Sequence, residues 1–131
     1  MLTFIVAAGL YTVQANETVT LACRGAGTRR NLYNGSEFQD TIRVEIWDNG
    51  GRIQLPAAML PPEMRGGEDG WWTFRDFIKS PKEYKAKVRV NFINFPTVTI
   101  DRLTGAIRID GGQSGFSGTC EKIDANASAL F

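Results

Sequence analysis

Histidine is missing from this chain, only two of its 131 residues are cysteine, and no apolar run is long enough to cross a bilayer as a helix. Each shortage removes a class of explanation. Without histidine the commonest general base at neutral pH is gone, so acid–base chemistry would fall to paired carboxylates, a lysine or a tyrosine with a displaced pKa. Two isolated cysteines supply half of a tetrahedral thiolate shell, so no metal and no other cofactor is expected. Charge of one sign is also lacking: fifteen Lys and Arg stand against fourteen Asp and Glu, a net charge of +1. That balance gives no electrostatic footprint for nucleic acid or for an anionic membrane. No Gly-x-Ser-x-Gly elbow, phosphate loop or dinucleotide fingerprint occurs.

What is present describes one folded domain. The length leaves little room for a second core, and 43% apolar with 22% charged residues is the balance of a globular chain. Residues 1–15, MLTFIVAAGLYTVQA, carry no charge. Their apolar run Leu2 to Tyr11 has the length of a signal-peptide core, and Val13-Gln14-Ala15 has the small-x-small form of a cleavage site. The run lacks the preceding Lys or Arg of such leaders; the alternative is a buried first strand. Cleavage after Ala15 leaves residues 16–131 as a single all-β domain with no integral membrane segment, periplasmic or secreted. In an oxidising compartment Cys23 and Cys120, near opposite ends of that domain, close it as a disulfide; in a reducing one they are two small buried side chains.

Hydrophobic periodicity is two wherever it is strong, which predicts strands. Val19, Leu21 and Cys23 share one side of a first strand, followed by a polar, glycine-rich stretch from Arg24 to Ser36. Ile42, Val44 and Ile46, then Ile53 and Leu55, flank the turn-forming Asp48-Asn49-Gly50-Gly51. Tyr84, Ala86, Val88 and Val90 alternate with Lys85, Lys87, Arg89 and Asn91. Val98 and Ile100 pair with Ile107 and Ile109 around Asp101 to Gly105, where the aspartate accepts turn amides and the glycine takes a left-handed conformation. A short last strand, Gly115 to Glu121, brings Cys120 back toward Cys23. Gly70 to Ser80 fits both a strand and a short helix. The expected fold is a small antiparallel barrel or sandwich, with that one segment open.

The segments LACRGAG, IQLP, GWW, VNFINFPTVTIDRLTGAIRI and FSGTCE, with the closing Leu130-Phe131, together resemble a group of small exported bacterial proteins of unknown function. The resemblance spans nearly all of residues 16–131. It implies export and a Cys23–Cys120 bond, and carries no activity or catalytic residues with it.

Binding residues are easier to nominate than catalytic ones. Trp71 and Trp72 are adjacent, so an extended backbone sends them to opposite faces, one inward and one available beside Arg75 for a sugar ring, a peptide side chain or a cell-wall fragment; the alternative is that both pack inside or under the loop. Trp47 lies on the outward face of its strand with Arg43 and Glu45. Lys85, Lys87 and Arg89 form a cationic row, read as a solvated strand face that discourages edge pairing or as the counterpart of an acidic partner. The expected role is noncatalytic binding of an envelope ligand or protein. The alternatives are an inhibitor or envelope-maintenance factor using a Pro61 to Gly70 loop, and a hydrolase pairing Asp101 with Asp110. Three Asn-x-Ser/Thr triplets begin at Asn16, Asn34 and Asn126, and in a bacterial chain they are read as chance. Mass spectrometry of the chain from its own cells is expected to find Asn16 at the N-terminus and no free thiol; an intact leader with two free thiols would remove export.

Overall fold

A computed structural model describes residues 18–30, 35–61, 70–91 and 94–123. The proposed leader, the three Asn-x-Ser/Thr asparagines, most of the Pro61 to Gly70 loop and the closing Leu130-Phe131 lie outside them. Nine strands follow one another: β1 (Val19–Arg30), β2 (Gly35–Trp47), β3 (Gly50–Gln54), β4 (Trp71–Thr73), β5 (Arg75–Lys79), β6 (Glu83–Lys87), β7 (Thr97–Asp101), β8 (Ala106–Asp110) and β9 (Ser114–Ile123), with one 3-10 turn at Ala57–Met59. All pairings are antiparallel, in the order β4-β3-β2-β1-β9-β8-β7-β6-β5. The two ends of this sheet, β4 and β5, are separated only by Phe74, so the sheet curls into a nearly closed antiparallel barrel. Of the two architectures expected, the barrel is the one found.

Alternation places one residue in two inside. Cys23 opposes Ile42, Leu21 opposes Val44, Val98 opposes Ile109, and Ile100 opposes Ile107. These side chains are buried, together with Ile46, Ile53, Val88, Phe116 and others from the remaining strands. They fill the interior, as an eight- or nine-stranded barrel of this bore permits. The barrel therefore has a packed core, and the surfaces left for recognition are its outer wall and rims.

Closure is made by β1 and β9. Their register sets Cys23 opposite Cys120, joined as a disulfide across 97 residues of sequence with Cα atoms 3.9 Å apart. The Cys120 N–H donates to the Gly105 carbonyl on the other side, at 2.7 Å. The two cysteines thus form a non-hydrogen-bonded pair, the position where facing side chains of antiparallel strands come closest. Beyond them Gly25 opposes Gly118, and Gly27 opposes Phe116. A Cβ on Gly25 would strike the Ser117 carbonyl, and one on Gly27 would lie 2.6 Å from Cζ of Phe38. Glycine keeps that part of the ladder close, while Phe38 and Phe116 stack at 6.2 Å. This corrects two boundaries: the first strand continues through Arg24 to Arg30, within what was read as a polar, glycine-rich stretch, and the last strand runs from Ser114 to Ile123.

The ambiguous segment is strand with a fault in it. Trp72 pairs with Ile53 and Thr73 with Arg52, and the Phe74 N–H still donates to Gly51 at 2.8 Å. From Arg75 onward the chain pairs with β6 instead, Arg75 opposite Lys87 and Ile78 opposite Lys85, with one extra residue between. That bulge holds Asp76 at φ 53°, a left-handed conformation that aspartate tolerates better than most residues. Phe74 and Phe77 consequently both turn inward at a spacing of three, which imitates a helical stripe. Inside the seam Phe74, Phe77 and Tyr84 stack in succession at 6.0 Å, and the Arg102 guanidinium lies 4.6 Å over the Tyr84 ring. Aromatic packing supports the wall where backbone pairing changes partners, at about 0.5 to 1.5 kcal/mol per ring pair.

Replacing Cys23 and Cys120 together by alanine is expected to cost about 4.7 kcal/mol in urea unfolding, the loop-closure value for a ring of this length. An unchanged unfolding midpoint would show that the glycine-rich ladder closes the barrel without the bond.

Candidate functional site

The bulge that hides β5 in the sequence also builds the most suggestive surface feature. An open cavity of about 500 Å³ lies at the seam, lined by Trp72, Thr73, Phe74, Arg75, Asp76 and Arg89. Its origin is geometric: β4 stays with β3, β5 leaves for β6, and a hollow is left beside the point where the chain changes neighbours. Val88 and Val90 donate to Pro96 and Asn94, which continues the alternation of β6 so that the exposed Arg89 reaches this hollow. Trp72 is half-buried against the core, and Phe74 is buried. The cavity thus combines an apolar floor, two guanidinium groups and one carboxylate. Such a set can stack on a ring, hold an anionic group and accept a hydrogen bond, with no metal required.

Of the residues nominated from sequence, Trp72 and Arg75 come together here, while Trp71 and Trp47 do not. Adjacent tryptophans do face opposite ways. Trp71 lies on the outer wall, held beneath the Arg52 guanidinium at 4.1 Å, and Arg52 is also bonded to Glu45 at 2.7 Å. Trp47 is on the same outer face of the β2–β3 hairpin, 38% exposed, opposite Gly50. This second surface is partly satisfied internally, since the face of Trp71 is already covered by arginine. Of the other four residues of the cavity, Thr73, Phe74 and Asp76 were not nominated, and Arg89 was named only in the cationic row. The signal for Asp76 is the break in alternation between Phe74 and Ile78, which is visible in the sequence but not separable there from a helix.

A second hollow of about 390 Å³ lies where β1, β8 and β9 meet, lined largely by Gly27, Gly112, Gly115 and their neighbours with Arg108 and Asp110. Its walls are mainly strand backbone and small side chains. Asp110 Oδ1 accepts from the Gly112 N–H at 3.0 Å, so that carboxylate serves its own turn. No three His, Cys, Asp or Glu side chains among the described residues gather as a metal site. Among the same residues no helix is long and apolar enough to cross a membrane.

The expected pairing of Asp101 with Asp110 is not found. Asp110 lies opposite Thr97, four positions along the strand from Asp101, a separation of about 13 Å. Asp101 instead faces Glu83 on β6, on a surface and not in either of these cavities. Its Oδ1 accepts the N–H groups of Leu103 at 2.8 Å and Thr104 at 3.0 Å, and its carbonyl accepts from Gly105 at 2.8 Å. Gly105 has φ +83°, and a Cβ there would lie 2.7 Å from the Cys120 carbonyl. Asp101 and Gly105 are therefore turn residues, as their types imply. The backbone N–H of Thr104, then that of Leu103, holds the Asp101 carboxyl below the usual aspartate range.

No protein-family model, curated protein or solved structure matches the chain.

The lowered Asp101 pKa fixes the sign of a pH effect. Its stabilisation is present above the titration of an unfolded aspartate and is lost as pH falls through the folded value. Asp101→Ala is expected to lower the thermal midpoint at pH 7, with the gap to the parent chain closing in acid. Equal midpoints at pH 7 would show that the turn does not use the charge.

Proposed function

We propose that this chain is an exported, noncatalytic binding protein of the periplasm or cell exterior that takes its ligand in the seam cavity. The observation that carries the reading is the convergence of Trp72, Arg75, Asp76 and Arg89 on one open hollow. A ring-stacking surface, guanidinium donors and a carboxylate acceptor are the polar and apolar elements by which small polar ligands are oriented. The packed interior supports a site on the wall over one inside the barrel. Export is supported by the uncharged apolar leader and by a disulfide, a bond that persists where the surroundings are oxidising. The resemblance of IDRLTG and FSGTCE to small exported bacterial proteins points the same way. A binding role is also in keeping with the engagement of Asp101 and Asp110 by turn amides, which withdraws from acid–base work the two carboxylates that a hydrolase reading depends on.

The test is a titration of the 16–131 chain with a soluble extract of its host's envelope, followed by tryptophan emission. A saturable change is expected, and it should be lost in Trp72→Phe and Arg75→Ala variants that keep their circular dichroism. Absence of saturable binding would end the proposal. So would binding that ignores both substitutions and disappears on changing Trp47 or Trp71.

A further inference from the structure

The wall beside the cavity carries a charge arrangement that the fold does not need. Arg75 stands directly opposite Lys87 across β5 and β6, and Lys85 lies one alternation away, between Ile78 and Thr99. Like charges placed face to face across a sheet are destabilising. Thr97 and Thr99 occupy the next strand, and Arg108 lies beyond Thr99 on β8. The outward positions of four consecutive strands thus present Arg75, Lys85, Lys87 and Arg108, all exposed, with Arg89 continuing the β6 row into the cavity. The ion pairs among the described residues, Arg52 with Glu45 and Lys79 with Asp48, include none of Arg75, Lys85, Lys87 and Arg108. Glu83, Asp101 and Asp110 also stand at outward positions of these strands, so the cationic part of the wall is the cluster of Arg75, Lys85 and Lys87.

Resting on the binding reading above, we infer that the ligand is an acidic polysaccharide, a chain of carboxylate-bearing sugars that enters the seam cavity and runs along β6. Three features select this chemistry. Cations at alternate positions of a strand recur about every 7 Å, which suits a polymer with repeated anionic groups better than one compact anion. Trp72 offers an apolar face for the C–H side of a sugar ring. Asp76, in the same cavity, repels a dense phosphate but accepts hydrogen bonds from hydroxyl groups, and Thr97 and Thr99 add hydroxyls between the cations. An acidic peptide of glutamates brings carboxylates without those hydroxyl donors. A sugar acid brings both.

The experiment is calorimetric titration of the 16–131 chain with oligogalacturonate, with a neutral malto-oligosaccharide of equal length, with poly-glutamate and with inorganic phosphate. Oligogalacturonate is expected to bind, with affinity falling as salt is raised. Lys85→Ala with Lys87→Ala should weaken it by about tenfold or more, equivalent to about 1.4 kcal/mol. Asp76→Gly, which suits the positive φ, should weaken it while the fold is retained. Equal binding of the neutral sugar, of poly-glutamate or of phosphate would overturn the inference, as would indifference to the lysine substitutions. If envelope extract binds in a Trp72- and Arg75-dependent way while oligogalacturonate does not, the ligand class is wrong and the cavity reading stands. If neither binds, both fall.

Discussion

The structure depends on the ladder between β1 and β9. Every other pairing in the barrel joins strands that follow one another along the chain, so each is a hairpin or, at the seam, a change of partner. The β1–β9 pairing alone brings together opposite ends of the described chain, and without it the sheet divides at the unpaired β4–β5 seam into β1–β4 and β5–β9, each with two bare edges. Its chemistry matches that burden. The disulfide fixes one position of the ladder, and Gly25 with Gly118 lets the backbones meet more closely than side chains would permit. The loop-closure entropy of this one contact is the largest in the fold, which is why a covalent link is best placed there.

Closure at one place moves irregularity to another. With β1 and β9 locked and the interior filled by Ile, Val and Phe, the mismatch of the curling sheet is taken up across the circumference, where the chain passes from β3 to β6 within a few residues. Phe74 turns the corner, Asp76 absorbs the extra residue, and the rings of Phe74, Phe77 and Tyr84 seal the inside. On the outside the same fault leaves a hollow edged by Trp72, Arg75 and Arg89. Rigid core and irregular wall are two results of one constraint, and the irregular part is where polar groups of several kinds converge.

Much of this was legible in residue order, and the remainder was hidden for definable reasons. Strands whose inward positions are Val, Ile or Leu, such as β2, β7 and β8, declared themselves by alternation. So did the Asp48-Asn49 turn and the Asp101 to Gly105 turn. Residues 24–30 did not, because their inward positions are Gly25 and Gly27 and the volume above them is filled by Phe38 and Phe116 from neighbouring strands. Burial there is supplied by partners, and no local pattern records it. The β4–β5 segment was blurred by a bulge that replaces a spacing of two with one of three. As for the site, Trp72 and Arg75 were nominated as residue types, but their meeting with Asp76 and Arg89 depends on that bulge. Asp101 and Asp110, close in sequence, were separated by register, which a hairpin's length determines and its composition does not.

The register of the closing ladder also sets Thr20 across from Ile123. Whatever precedes the first strand and whatever follows the last therefore depart from neighbouring points on one rim, while Gly25 and Gly118 lie farther toward the other. A carrier, dye or solid support attached directly at the start of β1 or the end of β9 would hold the molecule by that same rim.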